Sequence, residues 1–218
     1  MSAEGPAAEA VPREPARRLF FALWPDEAMR QAMVQAIRKA ARARPGPDPG
    51  CGGRPIPAGN LHVTLAFLGT VPERRLPELA EVARAAAGIP RSAPAAASSS
   101  DESLELIFDR LEYWRAAQLL CALPAEPPAP VAALARELQD ALAGRGFAPD
   151  LKPFRPHVTV ARKVMHASAA GRIDAVVWRF TELALIESRT LPEGSLYSVV
   201  ESYSLCSGTK SVNDSETG

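Results

Sequence analysis

Cysteine is nearly absent from this chain: there are three in 218 residues, Cys51, Cys121 and Cys206. An odd number without metal-ligand spacing fits neither a disulfide framework nor a zinc site, so the thiols read as free ones in a reducing compartment. Neither sign of charge is in excess, with 25 basic and 25 acidic side chains. No global field then draws the protein to duplex nucleic acid or an anionic membrane, and any anionic substrate must be gripped locally. The N-terminus lacks the basic-then-apolar order of a signal peptide, and no apolar run reaches spanning length. The expectation is a cytoplasmic, monomeric protein without a membrane contact. Apolar residues nevertheless make up 47% of the chain, enough for a sizeable core.

Histidine is equally scarce, and two of its three copies sit in one setting: His62-Val63-Thr64-Leu65 and His157-Val158-Thr159-Val160. Threonine occupies seven of 218 positions, so two of three histidines meeting one at i+2 by chance has a probability of about 0.003. The pattern is therefore read as one device used twice. Each copy lies in an alternating apolar run that predicts a half-buried strand. Residues i and i+2 share a strand face, so Leu61, Val63, Leu65 and Phe67 are expected in the core. His62 with Thr64, and His157 with Thr159, then project together from the other face.

Around the motifs the order strand, helix, His-strand occurs twice. The first unit has a strand at 18–24, a helix opening at Pro25-Asp26-Glu27, a Pro/Gly-rich loop at 44–59, and the first motif. A helix at 72–87 and a low-complexity loop at 88–100 follow. The second unit has strands at 104–114 and 117–123, a helix at 130–143 closed by Gly144 and Gly146, and the second motif. Further strands are expected around 175–187 and 195–205. Residues 1–16 and 207–218 lack apolar periodicity and read as disordered tails, which leaves one domain over 17–206.

The segments Arg18-Leu19-Phe20-Phe21-Ala22-Leu23-Trp24-Pro25, Asn60-Leu61-His62-Val63-Thr64-Leu65-Ala66-Phe67-Leu68-Gly69 and Phe154-Arg155-Pro156-His157-Val158-Thr159-Val160-Ala161-Arg162-Lys163, with Glu187-Ser188, Gly194 and Tyr197, together resemble the two-histidine phosphoesterases. The similarity is greatest to their RNA 2',3'-cyclic phosphodiesterase branch, also called the 2'-5' RNA ligase family. Departures are the two loops and Ser202-Tyr203-Ser204-Leu205, where that branch usually ends in Trp-Pro-Leu. The resemblance implies an α+β fold of two pseudo-symmetric lobes, each an antiparallel sheet with helices, whose His motifs face a central cleft. It implies RNA ends or nucleotides bearing a 2',3'-cyclic phosphate as substrate, and a 2'-phosphate as product. It assigns His62 as proton donor, His157 as proton acceptor and Arg162 to the phosphate.

The residues fit such chemistry on their own terms. Opening a cyclic phosphodiester needs a base for the attacking water and an acid for the departing ribose oxygen, and two imidazoles can supply both. The sequence alone leaves their roles interchangeable, and the reverse, ligating direction would swap them. Thr64 and Thr159 can donate hydroxyl hydrogens to the non-bridging phosphate oxygens. Arg162 lies five residues beyond His157, so strict alternation points it away unless a bulge re-aims it. His166 reads as an exposed loop residue, and Phe20, Phe21 and Trp24 as core rather than as base-stacking platforms. No metal or cofactor is expected. The competing reading is a nucleotide- or RNA-binding module with incidental turnover.

Overall fold

The computed structural model describes residues 14–43, 53–89, 104–126, 128–148, 153–166, 168, 170–192 and 194–205. Its strands are β1 (Ala16–Leu23), β2 (Arg54–Pro55), β3 (Val63–Pro72), β4 (Leu104–Trp114), β5 (Leu119–Pro124), β6 (Val158–Arg162), β7 (Gly171–Phe180), β8 (Glu182–Leu191) and β9 (Gly194–Ser204). Among the described residues three α-helices accompany them, α1 (Glu27–Arg42), α2 (Leu76–Ala87) and α3 (Ala129–Gly144). The expected mixture of helix and antiparallel sheet is what the chain adopts. All the strands join one antiparallel sheet in the order β7-β4-β5-β6-β3-β1-β8-β9, with β2 beside β6. The two expected lobes therefore share a sheet, and a single residue pair, Val63 with Val158, forms the seam between β3 and β6.

β1 shows how the sequence makes two layers. Leu19, Phe21 and Leu23 enter the main core, while Phe20 and Ala22 join a small cluster with Ala184 and Ile186 on the opposite face. A strand buried on both faces reads as an unbroken apolar run. The helices lie on the main-core side. Asp26 caps α1 by accepting the Met29 N–H at 2.7 Å, which satisfies one of the four free amides at a helix start. α1 follows β1 in sequence but packs against β7, in the other half of the sheet, while α3 lies over β3 and against α2. None of the described helices is long and apolar enough to cross a membrane.

Several expectations need correction. α2 begins at Leu76 because β3 continues to Pro72 and a 3-10 turn takes Glu73–Arg75. β1 begins at Ala16, inside the expected tail: the Pro15 carbonyl accepts the Glu73 N–H at 2.9 Å and Glu14 pairs with Arg74. The loop at 44–59 contains β2 and a 3-10 turn at Ala58–Asn60; its residues 44–52 lie outside the described residues, as do 90–103 and 206–218. The run at 175–187 is two strands divided at Thr181, with β7 paired to β4 and β8 to β1 and β9. Since one residue separates strands from nearly opposite ends of the strand order, the sheet must be strongly curved.

Trp178 fastens α1 to this arrangement. It is fully buried, packs edge-on to Phe108 and Phe180, and its indole N–H donates to the Met29 carbonyl at 2.9 Å. Trp178→Ala should cost about 3 to 5 kcal/mol, the usual range for emptying such a site, and Trp178→Phe distinctly less. A urea-unfolding loss below about 1 kcal/mol for the alanine variant would show that α1 is held elsewhere.

Candidate active site

Both histidines stand one residue ahead of their strands, where β3 and β6 leave the seam. Each ring is anchored alike: His62 Nδ1 lies 2.7 Å from the Asn60 carbonyl and His157 Nδ1 lies 2.9 Å from the Arg155 carbonyl. A carbonyl can only accept, so Nδ1 carries the hydrogen and Nε2 is left as the exchangeable nitrogen. At His62 the Thr64 hydroxyl donates to that Nε2 at 3.1 Å. Both histidines and both threonines line one cavity of about 1280 Å³. The antiparallel Val63–Val158 register brings His62 toward Thr159 and Thr64 toward His157, a four-cornered arrangement on one cavity wall.

Bulges then redirect the strands. In β6, Cys121 pairs with Thr159 but Leu120 with Ala161, so Val160 is an extra residue. Val160 and Ala161 are both buried, and Arg162 returns to the cavity. β3 repeats the device: Ala22 pairs with Thr64 but Phe21 with Ala66, which leaves Leu65 as the extra residue. Phe67, expected in the core, is consequently exposed on the cavity wall. An extra residue disrupts the ladder locally, and the two bulge carbonyls find other donors. Leu65 O accepts the Gln139 amide at 3.0 Å and Val160 O the Ile56 N–H at 2.9 Å. Gln139 also lines the cavity; nothing in the apolar pattern of its helix marked it in advance.

Aromatic rings enclose His62. Phe20 tilts against it at 4.9 Å, Trp24 stacks at 5.6 Å and Tyr197 meets it edge-on at 5.2 Å. Phe20 is buried in core as expected, but in the smaller cluster beside His62, and Trp24, one residue beyond β1, packs partly buried against that cluster. Behind Trp24 sits the Arg30 guanidinium, 5.0 Å from the ring centre. Among the described residues His157 has one such neighbour, Trp114, at 4.5 Å. Burial pulls the His62 pKa down to about 4, opposed by the Asn60 carbonyl and assisted by the charges of His157, Arg162 and Arg30. Burial also lowers His157, against its Arg155 carbonyl bond and with help from the Arg155 charge. Cys121, paired with Thr159 across the strands, is no nucleophile. Burial pushes its thiol up to about 12 against the lowering effect of the Thr159 hydrogen bond, so little thiolate forms near neutrality. His166 is exposed, as expected. Among the described residues no group of three His, Cys, Asp or Glu could hold a metal ion.

Comparison with known proteins adds an independent line. The model of the 2'-5' RNA ligase superfamily matches residues 24–191. An RNA 2',3'-cyclic phosphodiesterase of Thermus thermophilus is 30% identical over 193 residues, covering 86% of this chain and 90% of that protein. Its Escherichia coli counterpart is 29% identical over 151 residues, covering 69% and 74% respectively. Among solved structures, E. coli LigT complexed with 3'-AMP superposes with a TM-score of 0.71 at 25% identity, covering 88% of this chain and 99% of that one.

The depressed His62 pKa carries a stability consequence. An unfolded histidine titrates near 6.5, so between that value and about 4 the unfolded chain binds a proton that the folded one refuses. The contribution is present above pH 6.5 and lost as pH falls through that window. Denaturant unfolding at pH 7 and pH 4.5 should show a smaller fall for His62→Gln than for the wild type. Parallel falls would mean that His62 is not held neutral by its surroundings.

Proposed function

The chain belongs to the 2'-5' RNA ligase superfamily, and on that premise we propose that it hydrolyses RNA or nucleotide 2',3'-cyclic phosphates to 2'-phosphomonoesters by paired-histidine acid–base catalysis. The observation that carries this reading is the matched anchoring of two rings, each with Nδ1 tied to the carbonyl two residues back and Nε2 left for proton transfer, on one cavity. His157 takes a proton from water as its oxygen bonds to phosphorus, the P–O3' bond breaks, and His62 gives its proton to the departing O3'. The site then resets by returning one proton and taking another from solvent.

The unequal surroundings of the rings support this division of labour. The more strongly depressed ring, His62, is the stronger acid once protonated, and a bound phosphate anion between the rings supplies the charge that brings a proton to it. Thr64, Thr159 and Arg162 line the same cavity; with substrate bound, the two hydroxyls turn from His62 Nε2 and the Cys121 sulfur to the non-bridging oxygens, where negative charge grows. One chain supplies every group invoked, so a monomer suffices.

His62→Ala and His157→Ala should each lower turnover of a nucleoside 2',3'-cyclic phosphate by at least about 10²-fold, with the double variant scarcely worse because acid and base act as a unit. Thr64→Val or Thr159→Val should lower kcat/KM by about 10- to 100-fold, the equivalent of one lost hydrogen bond to a charged group. Near wild-type turnover in either histidine variant would end the paired-histidine account. In pH dependence, kcat/KM reports the free enzyme, and both rings are lowered. The profile should therefore be a bell centred below about pH 6.5, with limbs that belong to the pair, and it should persist in excess chelator. A bell centred well above that pH, or activity restored only by a divalent ion, would contradict the mechanism.

A further inference from the structure

The overall charge balance of 25 against 25 breaks down at one lip of the cavity. Arg54, Arg162 and Lys163 all line it and are all exposed, and none has an acidic partner among the described residues. Arg155, also on the wall, differs: Glu112 holds it at 2.6 Å. Arg54 and Arg162 are direct cross-strand partners, an arrangement in which like charges destabilise a sheet. Lys163 adopts a left-handed backbone with φ of 54°, a conformation uncommon for any residue but glycine and one that clusters at ligand sites. One lip thus concentrates three uncompensated cations at an unfavourable register and a strained turn. Arg162 is matched to the reacting phosphate, which leaves two cations unexplained.

Their position suggests the occupant. The antiparallel Val63–Val158 register sets Thr159 opposite His62, and β6 runs on past that point to Arg162 and its partner Arg54; the lip lies at the His62 end. With His62 serving the departing ribose oxygen, the sugar also lies at that end, and its 5' oxygen leads to the next phosphate of an RNA chain. We propose that Arg54 and Lys163 form a second phosphate site, which takes the phosphate on the 5' side of the terminal nucleoside and makes RNA ends better substrates than cyclic mononucleotides. This rests on the function proposed above. The corresponding position of the first motif holds Phe67, followed by Leu68, and the cations at that end are engaged, Arg18 over the Phe67 ring at 5.3 Å and Arg155 by Glu112, a difference that sets the chain polarity.

The test uses the full-length protein and three substrates: a nucleoside 2',3'-cyclic phosphate, the same compound with a 5'-phosphate, and a dinucleotide ending in the cyclic phosphate. The 5'-phosphate arm isolates the charge, and the dinucleotide arm reads a phosphodiester in the same place. The variants are Arg54→Gln, Lys163→Asn, whose side chain tolerates the left-handed conformation, and the double substitution. Wild type should prefer the two-phosphate substrates in kcat/KM. The double variant should lose about five- to tenfold more on them than on the one-phosphate substrate, with a weaker salt dependence of KM, since each removed phosphate contact lowers that slope. Arg54→Gln should unfold at or above the wild-type temperature because it removes the like-charge pair. If wild type opens all three substrates and the double variant keeps its preference for two phosphates, the second site is wrong and the proposed function stands. If wild type opens none of them, both fall.

Discussion

A strand offers each face only every second residue, and the site needs more from its strands than that period allows. His and Thr can share a face at i and i+2, but the next cavity-facing group would fall at i+4 and leave Arg162 pointing into the core. An extra residue just beyond each threonine, Leu65 in β3 and Val160 in β6, resolves the conflict by burying two successive side chains and returning the third to the cavity; β3 has a second extra residue, Leu68, further on. The freed carbonyls would be costly if left unpaired. Gln139 from α3 and the Ile56 amide beside β2 satisfy them, so the placement of a helix and of a short edge strand follows from the same constraint.

The two copies of the device have diverged on the cavity wall. Equivalent bulge positions carry Phe67 on one side and Arg162 on the other. The first ring is packed among Phe20, Trp24 and Tyr197, the second against Trp114. Similar backbones with different linings surround two chemically identical imidazoles unequally, and burial lowers the pKa of both.

Much of this was legible in the chain. The His-x-Thr repeat located the cavity, and β4 occupies the span its alternation predicted, because both depend on local periodicity. The partition at Thr181 was not legible: the run on either side is apolar and unbroken by glycine or proline, and only distant ladder partners divide it. The bulges escaped for the same reason, since an extra residue is defined against the neighbouring strand. That Phe20 joins the small cluster beside His62 and not the main core was hidden, because an apolar strand with two buried faces looks the same whichever face holds a residue. Gln139 was hidden on a helix whose visible signal was its apolar stripe.

The exchange of helices bears on whether this molecule could be divided. α1 is built into the first half of the sequence but covers β7 of the second, with Trp178 bonded to its backbone, while α3 of the second half shelters β3 of the first. The continuous stretch through Thr181 then carries the chain from one half-sheet into the other. A fragment cut at the midpoint would have one sheet face stripped of its cover and one helix with nothing to cover. The relation is that of a domain-swapped dimer closed within one polypeptide, so the two motifs meet across the cavity only when the whole chain has folded around it.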